Sequence, residues 1–323
     1  MVEGNKRKNF WRAMLYLSPA IILLAVFTFY PVIQTFVISF NYGYNYMLSR
    51  KGFFAPYNPD GWGFKNYVTI FSEGSPFLKC LTNTMIIVFV SVPISILLSL
   101  LIAVALNSIK PLQKLLQTVF FLPYVTNTIA IGMVFSVMFE SQQGLMNTVL
   151  NLMGHSSINW LGGNVSATLL FDNQFLTSLV VLISYIVWNS LPFKIIILLS
   201  ALQSVDRQYY QAAQIDGTSK FRTFAKITVP LLSPQIFYLL ITSFIGAFKE
   251  YTAVVAIFGE NANSIGQRYN MATVVWFIYD KIKGKGSGGK TVGYAAAGAV
   301  ILFIIILLFT AINKVIEKKK VHF

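Results

Sequence analysis

Charge is the scarcest commodity in this sequence. Only 11% of its 323 residues are Asp, Glu, Lys or Arg, where a water-soluble domain needs about a quarter to clothe its surface. Much of the surface must therefore face something other than water, and a soluble enzyme is excluded. Cysteine occurs once, as Cys80, which excludes an intrachain disulfide framework and a Cys-based zinc site. The two histidines, His155 and His322, lie far apart and supply no metal cluster. Neither a nucleophile elbow nor paired carboxylates at catalytic spacing is present, so no catalytic residue is assigned.

What is abundant is apolar sequence, 55% of the chain, gathered in blocks long enough to cross a hydrocarbon core about 30 Å thick, which takes about 20 helical residues. Six spans are predicted: about Leu15 to Phe40, Thr82 to Leu106, Gln117 to Phe139, Leu176 to Leu202, Gln235 to Phe258, and Val292 to Ile316. Unsatisfied backbone groups find no water in hydrocarbon, so each block is read as helix. Pro19, Pro31, Pro93, Pro123 and Pro192 fall in or near these blocks and mark kinks rather than ends. The fold class is an all-α integral membrane protein with one transmembrane domain over residues 1–323. The run behind Lys6, Arg7 and Lys8 is too long for a signal-peptide core and is read as an uncleaved first helix.

Net charge is +14, which in a soluble chain would raise nucleic acid as a partner. Here the basic residues cluster between apolar blocks, where lipid head groups and the positive-inside bias account for them, and no nucleic-acid partner is expected. The segment 140–175 has no Lys or Arg, while Lys220, Arg222, Lys226, Lys314 and Lys318 fall on the opposite side. Both termini are thereby placed in the cytoplasm. Lys281, Lys283 and Lys285 run against that bias. Two outer segments, 41–81 and 140–175, carry Trp62, Trp160 and further aromatics, suited to an interfacial cap or a docking surface.

The most informative cytoplasmic stretch is 203–233. A short helix before Gly217 sets Tyr209, Ala213 and Asp216 near one face. Gly217 permits a left-handed turn. Thr218 is expected to cap a second helix, whose Phe221, Phe224 and Ala225 form an apolar stripe that Pro230 ends. The stretch reads as a helix-turn-helix elbow on the cytoplasmic surface, against the alternative of an amphipathic loop resting on lipid.

The pattern Gln211-Ala212-Ala213, Gly217, Ile227-x-Val229-Pro230 resembles the EAA loop of ABC-importer permeases. Ser18-Pro19, Tyr30-Pro31, Gly63-Phe64-x-Asn66-Tyr67, Phe121-Leu122-Pro123, Gly144-x-x-Asn147-x-x-Leu150, Trp160-Leu161 and Gly293-Tyr294-Ala295-Ala296 follow the carbohydrate-importer branch, which includes maltose and glycerol-phosphate permeases. The resemblance covers about Leu15 to Lys314. Gln211 stands where a Glu is usual and cannot form an ion pair, and Asp206 stands where a Pro is common.

The resemblance implies a type I importer permease of six helices in a bacterial cell membrane. It implies a second homologous permease subunit, two copies of a cytoplasmic ATPase, an external solute-binding protein and a sugar substrate. ATP and Mg²⁺ would be bound by the ATPase, with no cofactor on this chain. The coupling residues it implies are Gln211, Ala212, Ala213, Asp216, Gly217, Phe221, Ile227 and Pro230. A stand-alone secondary transporter or channel is the alternative, against which stand the few intramembrane acids and the lack of an internal repeat.

Gly284-Lys285-Gly286-Ser287-Gly288-Gly289-Lys290-Thr291 satisfies the phosphate-loop pattern G-x-x-x-x-G-K-S/T. The context fails, because an apolar span follows instead of a soluble parallel sheet. It is read as a Gly/Lys hinge.

Ionisable side chains are expensive in a membrane, so Lys194, Lys249 and Glu250 are functional candidates. With Tyr185, Trp188, Asn189, Phe248 and Tyr251 they offer aromatic faces and polar groups of the kind a sugar ring needs. Either these residues line a solute pathway, or Lys249 and Glu250 pair with a sister subunit for assembly.

Overall fold

The computed structural model describes residues 6–44, 61–109, 113–161, 173–260, 270–283 and 291–320. The glycine-rich match at 284–290 lies outside them, as do Arg50, Lys51 and Lys110. The described residues form fifteen α-helices and two single π-turns, and no strand beyond one bridge between Asn41 and Trp62. In chain order they are α1 Lys6–Leu24, α2 Tyr30–Ser39, α3 Lys65–Phe71, α4 Pro76–Ser108, α5 Gln113–Val125, α6 Thr128–Met138, α7 Leu145–Leu152 and α8 Asn173–Ser204. There follow α9 Arg207–Ile215, α10 Lys220–Thr223, α11 Val229–Leu231, α12 Ser233–Phe248, α13 Thr252–Phe258, α14 Val274–Lys283 and α15 Val292–Lys320.

Four uninterrupted runs are long and apolar enough to cross a membrane: Asn9–Ser39, Pro76–Ser108, Phe175–Ser204 and Val292–Glu317. Two more are bent pairs, Gln117–Val125 with Thr128–Met138 at 101°, and Lys220–Leu231 with Ser233–Phe248 at 69°. Counting each pair as one span gives six.

The third span expected as one helix over Gln117 to Phe139 is therefore two. Asn127 is the break: its backbone is extended (φ −61°, ψ 117°), and its side chain accepts from the amides of Ile129 (2.9 Å) and Ala130 (3.3 Å) to start α6 anew. The fifth span is also interrupted. Helix α12 stops at Phe248, and Lys249, Glu250 and Tyr251 form a non-helical joint before α13. The chain falls into two compact units, residues 1–75 with 278–301, and residues 76–277 with 302–323.

In the first unit, α1 and α2 form one long apolar rod joined through the π-turn Ala25–Phe29. Its carboxyl-terminal end is tied by Asn66. That buried side chain donates to the carbonyls of Ser39 (2.9 Å) and Asn41 (3.1 Å), while the hydroxyls of Ser39 and Tyr67 meet at 2.7 Å. Phe40 packs edge-on against Phe64 and tilted against Tyr67. The early turn of α15 closes on this knot, with Gly293 against Asn41 and Asn66, and with Tyr294 bonded to Ser75 at 2.7 Å.

In the second unit, α4 runs along α8, and α12 packs on both. Leu100, Ala103, Leu106, Leu198, Leu199, Leu202, Leu232 and Leu239 form the shared apolar core. Phe309, near the end of α15, packs against Phe244 (4.4 Å between ring centres), Phe89 and Phe248 (both 5.8 Å). Helices α6 and α13 approach so closely at Gly132 that an added Cβ would stand 2.3 Å from that of Ala256. The segment after α6 is organised around Asn147. Its amide donates to Ser141 and Ile158 carbonyls (2.9 and 2.8 Å), and its oxygen accepts from the Ile158 amide (3.0 Å) and the Trp160 indole (2.9 Å). Glu140 caps the preceding turn by accepting from the Gln143 amide at 2.6 Å. That bond holds its exposed carboxyl below the usual carboxylate range.

Candidate functional site: a polar cavity and a helical elbow

A cavity of about 420 Å³ opens among α4, α5, α6, α8, α12 and α13. Its polar lining comes from a few side chains set into otherwise apolar helices, as ligand sites commonly are. Helix α8 contributes Tyr185 and Asn189, one turn apart, and Ser190 and Lys194, likewise one turn apart. Helix α4 contributes Ser91 and Ser95, one turn apart, and the joint after α12 contributes Glu250. Tyr124 and Phe193 stack at 5.9 Å with ring planes 15° apart, and both border the cavity.

These groups are held from behind. The Tyr185 hydroxyl donates to the Thr128 carbonyl at 2.6 Å, reaching the first turn of the re-started α6. The Lys194 ammonium donates to Ser190 Oγ at 3.1 Å and to Ser95 Oγ. Glu250 accepts from the Ala253 amide at 2.8 Å, so its carboxyl caps α13, and its carbonyl accepts from Thr273 Oγ1 at 2.6 Å. The helix break is thus satisfied by side chains rather than left open. In a membrane, irregular backbone persists where it lines a cavity or is buried in protein.

Of the eight pathway candidates, Tyr185, Asn189, Lys194 and Glu250 come together in this cavity. Trp188, Phe248, Lys249 and Tyr251 are not part of its lining. Trp188 turns outward against Phe135 (5.4 Å), Phe248 is buried against Phe309, and Lys249 is exposed. For Phe248, Lys249 and Tyr251 the reason is the break after Phe248: a continuous helix would set residues 248–251 around one turn, whereas here the chain leaves the helical path within them. Sequence reasoning missed Ser91, Ser95 and Ser190. The i, i+4 spacing of Ser91, Ser95 and Ser99 in an apolar span was the available signal.

The elbow is a pair of short helices about Gly217. Asp206 caps α9 by accepting from the Gln208 amide at 3.0 Å. An acid at this place thus starts the helix that a proline would also favour starting. At the other end Gly217 takes φ +66°, its amide bonds the Gln214 carbonyl (3.1 Å), and the Thr218 amide bonds that of Ala213 (2.9 Å). This is a Schellman closure, which satisfies the last carbonyls of α9. The cap of α10 is Ser219 rather than Thr218, because α10 begins one residue later than expected, at Lys220; Ser219 Oγ accepts from the Arg222 amide at 3.4 Å.

The expected stripe of Phe221, Phe224 and Ala225 does not form. The α-helix lasts one turn before a π-turn over Phe224–Thr228, which puts Phe224 against the leucine core and leaves Phe221 80% exposed. Ala213 is buried, whereas Tyr209, Gln211, Ala212 and Asp216 are exposed and Ile215 is 87% exposed. Ile227 is half-buried and Pro230 exposed. Pro230 lies in the first turn of α11, and the bend toward α12 falls at Leu232 rather than at the proline.

The model of the family described as "Binding-protein-dependent transport system inner membrane component" matches residues 68–322. The arabinooligosaccharides transport system permease protein AraP of Bacillus subtilis is 28% identical over 97% of this chain and 93% of its own length. The lactose transport system permease protein LacF of Rhizobium radiobacter is 29% identical, covering 94% of each chain. Among solved structures, a chain of a bacterial alginate ABC transporter, in complex with its alginate pentasaccharide-bound periplasmic protein, has a TM-score of 0.76. It is 20% identical over 97% of this chain and 96% of that one, so the fold is shared. With the helical architecture and the matched span taken together, this chain belongs to the family of binding-protein-dependent transport system inner membrane components.

Proposed function

We propose that this chain is one permease subunit of an ATP-driven importer for a carbohydrate, and that the cavity on α4, α8 and α12 is its share of the solute pathway. The observation that carries the reading is the cavity itself. It sets stacked Tyr124 and Phe193 rings near Asn189, Glu250 and several hydroxyls. Aromatic faces suit the CH-rich faces of a sugar ring, and amide and carboxylate groups suit its hydroxyls. AraP and LacF, both similar to this chain, are named for arabinooligosaccharide and lactose transport.

The elbow at 203–233 is read as the seat of a cytoplasmic ATPase, of which two copies serve this subunit and a homologous sister permease. Exposed Tyr209, Ile215 and Phe221 around the Gly217 turn support it, because large apolar side chains grouped on a short elbow call for a partner surface. ATP and Mg²⁺ are handled by that ATPase, and an extracytoplasmic binding protein delivers the solute. Both termini then lie in the cytoplasm of a bacterial cell. Gln211 contacts the ATPase through hydrogen bonds rather than an ion pair. Differential contact of the elbow with two ATPase states is what shifts the helices between inward- and outward-open forms.

Extraction of the carboxyl-tagged chain from its native membrane, followed by mass spectrometry, tests the reading. A second permease and an ATPase are expected to co-purify. A chain that purifies alone and moves solute in vesicles without ATP would point to a stand-alone transporter instead.

A further inference from the structure

Lys194 is 5% exposed and projects from the apolar span α8 into the cavity wall. Its ammonium has three N–H donors, of which two go to Ser95 and Ser190. Both serines are fixed as acceptors, because each spends its own hydrogen on a helical carbonyl, Ser95 on Val92 and Ser190 on Val187, both at 2.9 Å. The two serines take two N–H donors of Lys194, and the third donor of the ammonium has no partner among the described residues. What Lys194 lacks is a counter-ion: among the described residues no carboxylate lies within 4.0 Å of the ammonium. Glu250 shares the cavity but its carboxyl is turned to the Ala253 amide.

A second polar group is left over beside it. Ser91 lies one turn before Ser95 on α4, also lines the cavity, and its buried hydroxyl has no hydrogen-bond partner among the described residues. A pathway for neutral sugars alone has no use for a buried cation, since Asn or Gln would bond hydroxyls without the cost of burying charge.

We propose that Lys194 and Ser91 form an anion subsite in this cavity, and that the imported solute carries a carboxylate or phosphate group which the Lys194 ammonium receives. The inference rests on the reading that the cavity lies on the solute pathway, and it narrows the substrate to an acidic saccharide or a phosphorylated polyol. The two share the chemistry that matters, a fixed negative charge on oxygen acceptors that point away from a sugar-like body.

The test uses the whole transporter, purified with its co-purifying subunits and binding protein and reconstituted in vesicles. Three probes are offered: oligogalacturonates, glycerol 3-phosphate and neutral maltooligosaccharides. ATP-dependent uptake of one acidic probe is expected at least tenfold above the neutral one, and which acidic probe is taken distinguishes carboxylate from phosphate. Lys194→Met should lower that uptake tenfold or more, while Lys194→Arg stays within about threefold of the parent. Preference of the parent protein for the neutral probe overturns the inference but leaves the importer reading standing, and needs no variant to fold. Equal acidic uptake by Lys194→Met and the parent also overturns it. No ATP-dependent uptake of any probe overturns the importer reading, and this inference with it.

Discussion

Gly293 lies so close to Asn41 that a Cβ at position 293 would stand 2.5 Å from the Asn41 carbonyl oxygen and 2.8 Å from the Asn66 amide nitrogen. The first obstacle is backbone, and Asn66 is itself fixed by two hydrogen bonds, so neither can step aside cheaply. Gly293→Ala is therefore expected to destabilise the first unit by about 1–3 kcal/mol, the usual cost of overpacking. A lowered thermal unfolding midpoint of the detergent-extracted protein checks it. An unchanged midpoint would mean that α15 shifts freely at its first turn.

Asn147 saturates its amide with four bonds to Ser141, Ile158 and Trp160, and it is buried. Asn147→Leu preserves approximate size but leaves all four partners without their bond, and a buried orphan costs about 1–3 kcal/mol. Asn147→Asp keeps the acceptor side and loses both donors. Limited proteolysis should cut 141–161 faster in both variants, with Leu the more severe. Equal resistance in Leu and parent would show that the segment is held by its apolar contacts alone.

Glu140 gives the same segment a pH dependence. The Gln143 amide, more than any other group, lowers its carboxyl from the ordinary value. A depressed carboxylate contributes order that is complete above the ordinary carboxylate range, near 4, and is lost as pH falls through the depressed value. Amide exchange at Gln143, followed from pH 7 to 3 and corrected for intrinsic rate, should lose protection at the acid end. Glu140→Gln should show weaker protection at pH 7 and no such acid step. The carboxyl is fully exposed, so the effect is local to this turn.

The apolar blocks were legible because length and composition alone mark them. Four return as uninterrupted runs, and two bent pairs bring the count to six when each is one span, the second pair running from Lys220 to Phe248 rather than from Gln235 to Phe258. Motif residues scattered along the sequence turned out to be physical partners. Gly293 and Asn66 touch in the knot at the end of α2, and Asn147 holds Trp160. What the sequence concealed were the helix breaks. Nothing in the hydropathy of Gln235 to Phe258 signals that Glu250 will cap a new helix, since the cap uses a side chain that reads simply as an intramembrane charge. Phe248 and Tyr251 lie outside the cavity lining for the same reason. Position relative to a break decides whether Phe248 or Tyr251 faces a cavity, and periodicity carried past the break points the wrong way. The serines of α4 were overlooked because small hydroxyls also occur in membrane helices bonded to their own backbone, as Ser95 is.

Gly217 offers a test that separates coupling from stability. A Cβ there meets no heavy atom within 4 Å, so any penalty comes from the left-handed backbone, φ +66°, and from nothing else. A residue with a Cβ in that region costs about 1–2 kcal/mol, less for Asn, and more when the side chain is β-branched. The turn closes α9 through bonds to Gln214 and Ala213, so strain there unwinds the last turn of that helix and displaces Ile215 and Asp216. The leucine core beneath, built on Leu198, Leu202, Leu232 and Leu239, is untouched. ATPase recovered with the tagged chain should therefore fall in the order Gly, Asn, Ala, Val at position 217, while the thermal unfolding of the membrane helices changes little. Equal ATPase recovery across the four would show that the closed turn is not what the ATPase reads. Parallel loss of thermal stability would instead assign Gly217 to folding.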